Sequence, residues 1–208
     1  MSEHHYILIP TAYFPPISYF HFLISGKPVR IELFETFPKQ TCRNRCEILT
    51  AGGKASLTVP VSRPGGNHTL TRDIEICYRE PWQRNHWRAI QSAYRSSPYF
   101  SFYADQISAL FNTREPHLVF LNQKITSLIC KLLKLRPSIN FTNAYEKNPS
   151  VALDLRQAFT PKKSTRPDFP YYPQVFQHKT GFTTGLSILD LLFNQGPDTK
   201  AYLRELVF

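Results

Sequence analysis

The sequence predicts an α/β fold: a single domain over residues 1–208 in which a small N-terminal mixed sheet is covered by central and C-terminal helices. Three observations carry this. Short β-type runs cluster before residue 80, and amphipathic segments of helical period fill most of the rest. The chain of 208 residues, 42% hydrophobic, is one domain's worth of core and too apolar for a disordered tail. Strands early and helices later favour α/β or α+β over a strictly alternating sheet.

The elements follow in order. Tyr6 to Ile9 is a β-type run ending at Pro10. Pro15-Pro16 opens a helix from Ile17 to Ile24, because proline is tolerated in a first turn, and Gly26 stops it. Val29 to Phe34 alternates as a strand. Arg45 to Leu49 and Ser56 to Val61 flank Ala51-Gly52-Gly53-Lys54 as a hairpin, and Ile74 to Tyr78 is another strand. From Pro81 to Arg95, Trp82, His86, Trp87, Ala89, Ile90, Ala93 and Tyr94 share one helical face, with Arg84, Arg88 and Arg95 on the other. Ser101 to Phe111 is a second helix. Pro116 opens a third, with Leu118, Leu121, Ile125, Leu128, Ile129 and Leu132 in period. Ile139 to Thr142 reads as a strand, and Ser150 as the cap of a helix through Phe159. Thr160 to Pro173 is a proline-rich loop, read up to Pro170 as a lid over a pocket because of its prolines and Lys162, Lys163 and Arg166. Ser187 and Asp190 form a capping-box variant at the start of a helix that Gly196-Pro197 ends, and Asp198 caps the last helix.

The formal net charge is +10, from 25 basic and 15 acidic residues. That balance favours a phosphorylated or otherwise anionic small molecule as partner. Nucleic acid is not the expected partner, since no arginine-rich run, zinc knuckle or RNA-recognition aromatic motif is present. Four cysteines without a C-x-x-C pair read as reduced thiols; no metal site and no cofactor is indicated. No stretch is long and apolar enough to span a membrane, and the N-terminus has no charged segment followed by an apolar one, so the cytoplasm is the expected compartment.

Several residues are candidates for chemistry. Tyr13 lies at a strand–loop–helix junction, where α/β folds present backbone N–H groups and a helix dipole to phosphate, yet it reads equally well as core. Lys39, Arg43 and Arg45, with Gln40 and Asn44 between, form a cationic segment suited to a carboxylate or phosphate; Arg43 and Arg45 would share one face of an extended chain. His86 sits on the inward face of its helix, either a core histidine or a general base whose pKa burial lowers. Asp190 is either a helix cap or a catalytic carboxylate. Asn122, Gln174 and Asn194 either orient a substrate or satisfy backbone groups. Cys42 and Cys46 have no assignable activating partner.

Five stretches in order carry a resemblance: Pro10-Thr-Ala-Tyr-Phe-Pro-Pro-Ile-Ser-Tyr-Phe20, Lys39-Gln-Thr-Cys-Arg-Asn-Arg45, Trp82-Gln-Arg-Asn-His-Trp-Arg-Ala-Ile90 with Ala93-Tyr94-Arg-Ser-Ser-Pro-Tyr-Phe100, Tyr172-Pro-Gln-Val-Phe176, and Leu186-Ser-Ile-Leu-Asp-Leu-Leu-Phe-Asn-Gln-Gly196. From about residue 7 to 197 the chain resembles the WbqC-like family. The resemblance implies a bacterial cytoplasmic transferase of surface-polysaccharide (O-antigen-like) biosynthesis, moving an amino-acyl, glycyl-type group onto a sugar. Its partner would be a nucleotide-linked sugar or activated acyl donor. The alternative is a non-catalytic protein that binds an anionic glycan precursor or a partner enzyme. Two departures stand out. Ile9-Pro10 replaces a Gln-Pro opening common in the family, and the short region from Pro149 to Pro170 lacks the Tyr-Ser-Gly-like patch of longer members.

Overall fold

The computed structural model describes residues 4–39, 41–159 and 168–207. Among them a four-stranded, all-parallel sheet organises the molecule. Along the chain the elements are β1 (Tyr6–Pro10), α1 (Ile17–Leu23), β2 (Val29–Glu32), the antiparallel hairpin β3 (Arg45–Thr50) and β4 (Gly53–Thr58), and the short pair β5 (Val61–Ser62) and β6 (Glu75–Ile76). There follow α2 (Trp82–Tyr94), α3 (Phe100–Ala109), α4 (Leu118–Leu132), β7 (Ile139–Phe141), β8 (Ala152–Asp154), α5 (Gln177–Thr180), α6 (Ile188–Gln195) and α7 (Thr199–Glu205).

The sheet order is β7-β2-β1-β8. Counting only its own strands along the chain, this is 3-2-1-4, the first four strands of the doubly wound order. Its topological switch point lies between β1 and β8, where such sheets place ligands beyond the strands' carboxyl ends. β1 is buried along its whole length, as a central parallel strand covered on both faces requires. The register pairs Ile7 with Val29 and Leu153, and Ile9 with Ile31.

The α/β class and most elements hold, but the sheet differs from the expectation in two ways. It is parallel throughout, and two of its four strands come from residues 139–154 rather than from the N-terminal half. The segment from Ser150 to Phe159 is not a helix. Ala152–Asp154 instead pairs with Tyr6–Leu8, and Leu155 N–H donates to the Leu8 carbonyl. The exposed edge of β1 offers a row of hydrogen-bond partners that outweighs weak local helix propensity.

The recognised motifs interlock around one core. Ile17 N–H donates to the Leu186 carbonyl, Ile188 N–H to Pro15 and Ser187 N–H to Glu47, tying the β1–α1 junction, the hairpin and the start of α6 together. Leu49 N–H donates to the Tyr94 hydroxyl, and the Tyr94 ring packs on Phe193. Ser187 caps α6 as expected, its Oγ accepting from Leu189 N–H at 3.3 Å. Asp190 does not join the cap; its carboxylate turns into the core. Asp198 makes no side-chain cap bond to α7.

Gly196 ends α6 with φ +52° and lies against the ring of Tyr99, whose own N–H donates to Phe193. A Cβ there would sit 2.7 Å from Tyr99 Cε1. Gly196→Ala therefore combines overlap with backbone strain, and is expected to cost about 3–5 kcal/mol by denaturant unfolding. In a Tyr99→Ala background only the strain remains, and the same change should cost about 1–3 kcal/mol. Equal costs in the two backgrounds would remove the ring as the cause.

Candidate functional site

Charged and polar side chains from four segments converge beyond the carboxyl end of β1. Arg43 is fully buried in the turn before β3. Its Nε lies 2.7 Å and its Nη2 2.6 Å from the same oxygen, Glu35 Oε1, and Nη2 also donates to the Arg156 carbonyl at 3.1 Å. Asn122 of α4 donates to Thr11 Oγ1, one residue beyond β1, at 3.1 Å, and to the Arg43 carbonyl at 2.8 Å. The ion pair thus spans from the segment after β2, across the end of β1, to the end of β8.

A second guanidinium closes the neighbouring edge. Arg156 binds Asp154 through Nε (3.0 and 3.1 Å) and Nη2 (2.6 Å), reaches Glu32 Oε2 at 3.4 Å, and holds the carbonyls of Glu146 and Lys147. Glu32 Oε1 in turn accepts from Phe34 N–H and the Thr142 hydroxyl. Three polar atoms here stay without partners among the described residues. Arg43 Nη1 and Asn122 Oδ1 are buried, and Glu35 Oε2 accepts no hydrogen bond. Phe14, in the loop after β1, holds φ +36° while completely buried. Such strain in an aromatic residue persists only where its surroundings dictate it; here the ring packs against Phe111 and the Tyr13 ring.

At the junction between β1 and α1 several of the N–H groups that could meet a phosphate are already committed, Tyr13 N–H donating to the Cys42 carbonyl. Pro15 and Pro16 have none, Ile17 N–H is held by Leu186, and Tyr19 N–H by Pro16.

The predicted residues fall into three separate hydrogen-bonded groups. Arg43 and Asn122 belong to the sheet edge. Arg45 does not share Arg43's face: residues 42–44 form a turn, so strand alternation does not apply, and Arg45 Nε donates to Thr58 Oγ1 across the hairpin. Asn44 locks that turn through the Val59 carbonyl. Lys39 is exposed, and Gln40 lies outside the described residues.

Tyr13 and His86 form a second group, with the Tyr13 hydroxyl 2.9 Å from His86 Nδ1 and Trp82 packed on both rings. Burial lowers the His86 pKa to about 4, opposed by a hydrogen bond to the Thr58 backbone, so the ring is neutral at pH 7.

Asp190, Gln174 and Asn194 form the third. Asp190 Oδ2 accepts from the Tyr172 hydroxyl at 2.7 Å and from Gln174 Nε2 at 3.0 Å, and Asn194 donates to the Asp190 carbonyl. Burial raises the Asp190 pKa, with the Tyr172, Gln174 and Tyr94 hydrogen bonds pulling it back. Gln174 also exchanges hydrogen bonds with the Thr183 backbone, which occupies both ends of its amide. Of the supposed lid, residues 160–167 lie outside the described residues, and Pro170 is held by the Tyr202 hydroxyl at 2.7 Å.

Glu32, Glu35, Asp154, Arg156, Thr11 and Thr142 were not among the candidates. Glu32 and Asp154 are acids ending strands, a signal hidden because the segment containing Asp154 reads as a helix. All four cysteines are free thiols. Burial pushes Cys42 up to about 11 and Cys130 to about 12, and Cys46 higher still, so these three are not thiolates at neutral pH. No three His, Cys, Asp or Glu side chains among the described residues gather as a metal site needs. No helix among them is long and apolar enough to cross a membrane.

Fold and site together define an α/β protein with a buried ionic cluster at the switch point of a parallel sheet. The model of the WbqC-like protein family matches residues 11–168, three quarters of the chain, and the protein belongs to that family. It is also similar to the uncharacterised protein Rv1507c of Mycobacterium tuberculosis, 28% identical over 194 residues that cover 81% of this chain and 84% of the relative. No solved structure matches.

The Asp154–Arg156 contact generates a pH prediction. Burial would raise the Asp154 pKa, but the Arg156 hydrogen bonds outweigh it and hold the carboxyl below its ordinary value. A depressed folded-state pKa means stability that is complete above the unfolded pKa, near 3.8, and lost as pH falls through the folded one. Wild type should therefore lose melting temperature more steeply than Asp154→Asn between about pH 4 and pH 2. Parallel curves would show that Asp154 contributes no such linkage.

Proposed function

We propose that this protein is a transferase of bacterial surface-polysaccharide biosynthesis that moves an amino-acyl, glycyl-type group from an activated anionic donor onto a sugar, with the acceptor seated at the carboxyl edge of the parallel sheet. The observation that carries this reading is Glu35: a buried carboxylate beyond β2 with one oxygen fixed by Arg43, which also reaches the Arg156 carbonyl beyond β8, and the other oxygen unpartnered among the described residues. Burial raises its pKa, and the Arg43 charge and hydrogen bond oppose the rise, as suits a base poised nearer neutral pH.

In this reading Glu35 Oε2 takes the proton from the acceptor's hydroxyl or amine as that atom attacks the acyl carbon. The carrier leaves with the electron pair of the broken acyl bond. Arg43 holds the carboxylate, and its Nη1 remains to meet developing negative charge. The raised pKa values of Cys42, Cys46 and Cys130 favour direct transfer over a thioester on any of them. The base role that the sequence offered to His86 passes to Glu35, because the His86 ring is tied to Tyr13 and titrates near 4.

The test pairs binding with turnover. Nucleotide-linked sugars are titrated by calorimetry, and sugar acylation from activated amino-acid donors is followed by mass spectrometry. Glu35→Gln leaves the buried Arg43 charge unmatched and should lower the melting temperature, but its folded fraction should bind as wild type does and lose turnover by about 10²–10⁴-fold, whereas His86→Gln should lower the melting temperature and leave the folded fraction active. Binding without transfer for any donor would leave a non-catalytic binder of glycan precursors, and unchanged turnover in Glu35→Gln would remove Glu35 as the base.

A further inference from the structure

A concavity lies away from the sheet edge, between the loop before α2, the first turns of α2 and the turn after α3. Its volume is about 540 Å³, within the range of small-molecule sites. Arg79, Arg84 and Arg114 line it, all exposed, and none forms an ion pair among the described residues. Arg114 instead lies over the Tyr78 ring, 5.4 Å from its centroid. Glu80 is the one carboxylate in the lining, leaving a net charge of +2 from three arginines and one acid.

Two further features share the wall. Trp87 and Phe111 are half-buried with ring centroids 5.9 Å apart, and both line the groove. The α2 N-terminus opens here as well. Gln83 and Arg84 occupy its first turn, where a helix leaves N–H groups without an intrahelical acceptor; the turn itself holds no acidic residue, and its Trp82 N–H is taken by the Glu80 carbonyl. Guanidinium forks, helix N–H groups and an aromatic wall together match a ligand that carries both phosphate and a flat ring.

We propose that this groove binds a nucleoside phosphate, with the phosphates on Arg79, Arg84 and Arg114 and the base against Trp87 and Phe111. Glu80 would accept from the ribose hydroxyls, and the Asn112 amide is placed to meet a base edge. A mononucleotide fits better than a nucleic-acid strand because only these arginines converge. Arg88 and Arg95, further along the outer face of α2, are not part of the lining. The inference does not depend on the transferase reading, since no lining residue belongs to the sheet-edge cluster.

The four common nucleoside diphosphates are titrated into the full-length protein by calorimetry. At least one should bind, about tenfold or more weaker in Arg84→Gln and in Arg114→Gln. Arg95→Gln, on the outer face of α2 and outside the lining, should retain wild-type affinity. The parent nucleoside of the diphosphate that binds and inorganic pyrophosphate should each compete less well than that diphosphate. Absence of binding in wild type, unchanged affinity in both arginine variants, or pyrophosphate competing as well as the nucleotide would each overturn the assignment. So would a single-stranded oligonucleotide that binds more tightly than any mononucleotide and is weakened by Arg88→Gln.

Discussion

The pairing of Arg43 with Glu35 is the constraint on which the rest of the architecture depends. A guanidinium with no solvent exposure is tolerable only if its charge is matched, and Glu35 supplies that match through Nε and Nη2. Meeting that demand fixes three segments at once: Glu35 after β2, the turn before the hairpin, and the Arg156 carbonyl after β8. The strands of this sheet run only three to five residues, too short for their ladders alone to define the edge. Arg156 repeats the device on the neighbouring edge, clamping Asp154, Glu32 and the loop at Glu146 and Lys147. Breaking either cluster by truncating one partner strands a buried charge, a far larger effect than loss of a surface salt bridge.

The same economy of space explains why this edge differs from a phosphate-binding α/β junction. In such junctions a glycine-rich turn leaves amides open to the ligand. Here prolines and the Leu186–Ile188 segment take up that position, and Phe14 is forced to positive φ to thread aromatic rings between the sheet and α2. The helix terminus that does remain open belongs to α2, on a different surface and beside unpaired arginines.

Helices α2 and α4 were legible because their apolar residues recur with helical period, and that period is a local property of the chain. The hairpin was legible for a similar reason, since Ala51-Gly52-Gly53 marks its turn. The strand at Ala152–Asp154 was not. Three residues hold no period, and their conformation is set by the free edge of β1, more than 140 residues away in sequence. The site followed the same division. Arg43 and Asn122 could be named from residue type and motif, but Glu35 and Arg156 could not, because nothing local marks a carboxylate that will be buried against a distant guanidinium.

By itself the sequence determined the α/β class, the family, helices α1 to α4, α6 and α7, and the segments that carry the motifs. All of these rest on short-range periodicity or on contiguous strings of residues. Tertiary structure alone decided that the sheet is parallel in the order β7-β2-β1-β8, and that Arg43 and Arg45 point to different places. It also decided that Asp190 serves the Tyr172 and Gln174 cluster rather than its own helix cap. Each of those outcomes is set by pairing a backbone edge or a buried charge with a partner far along the chain, information that no local pattern contains.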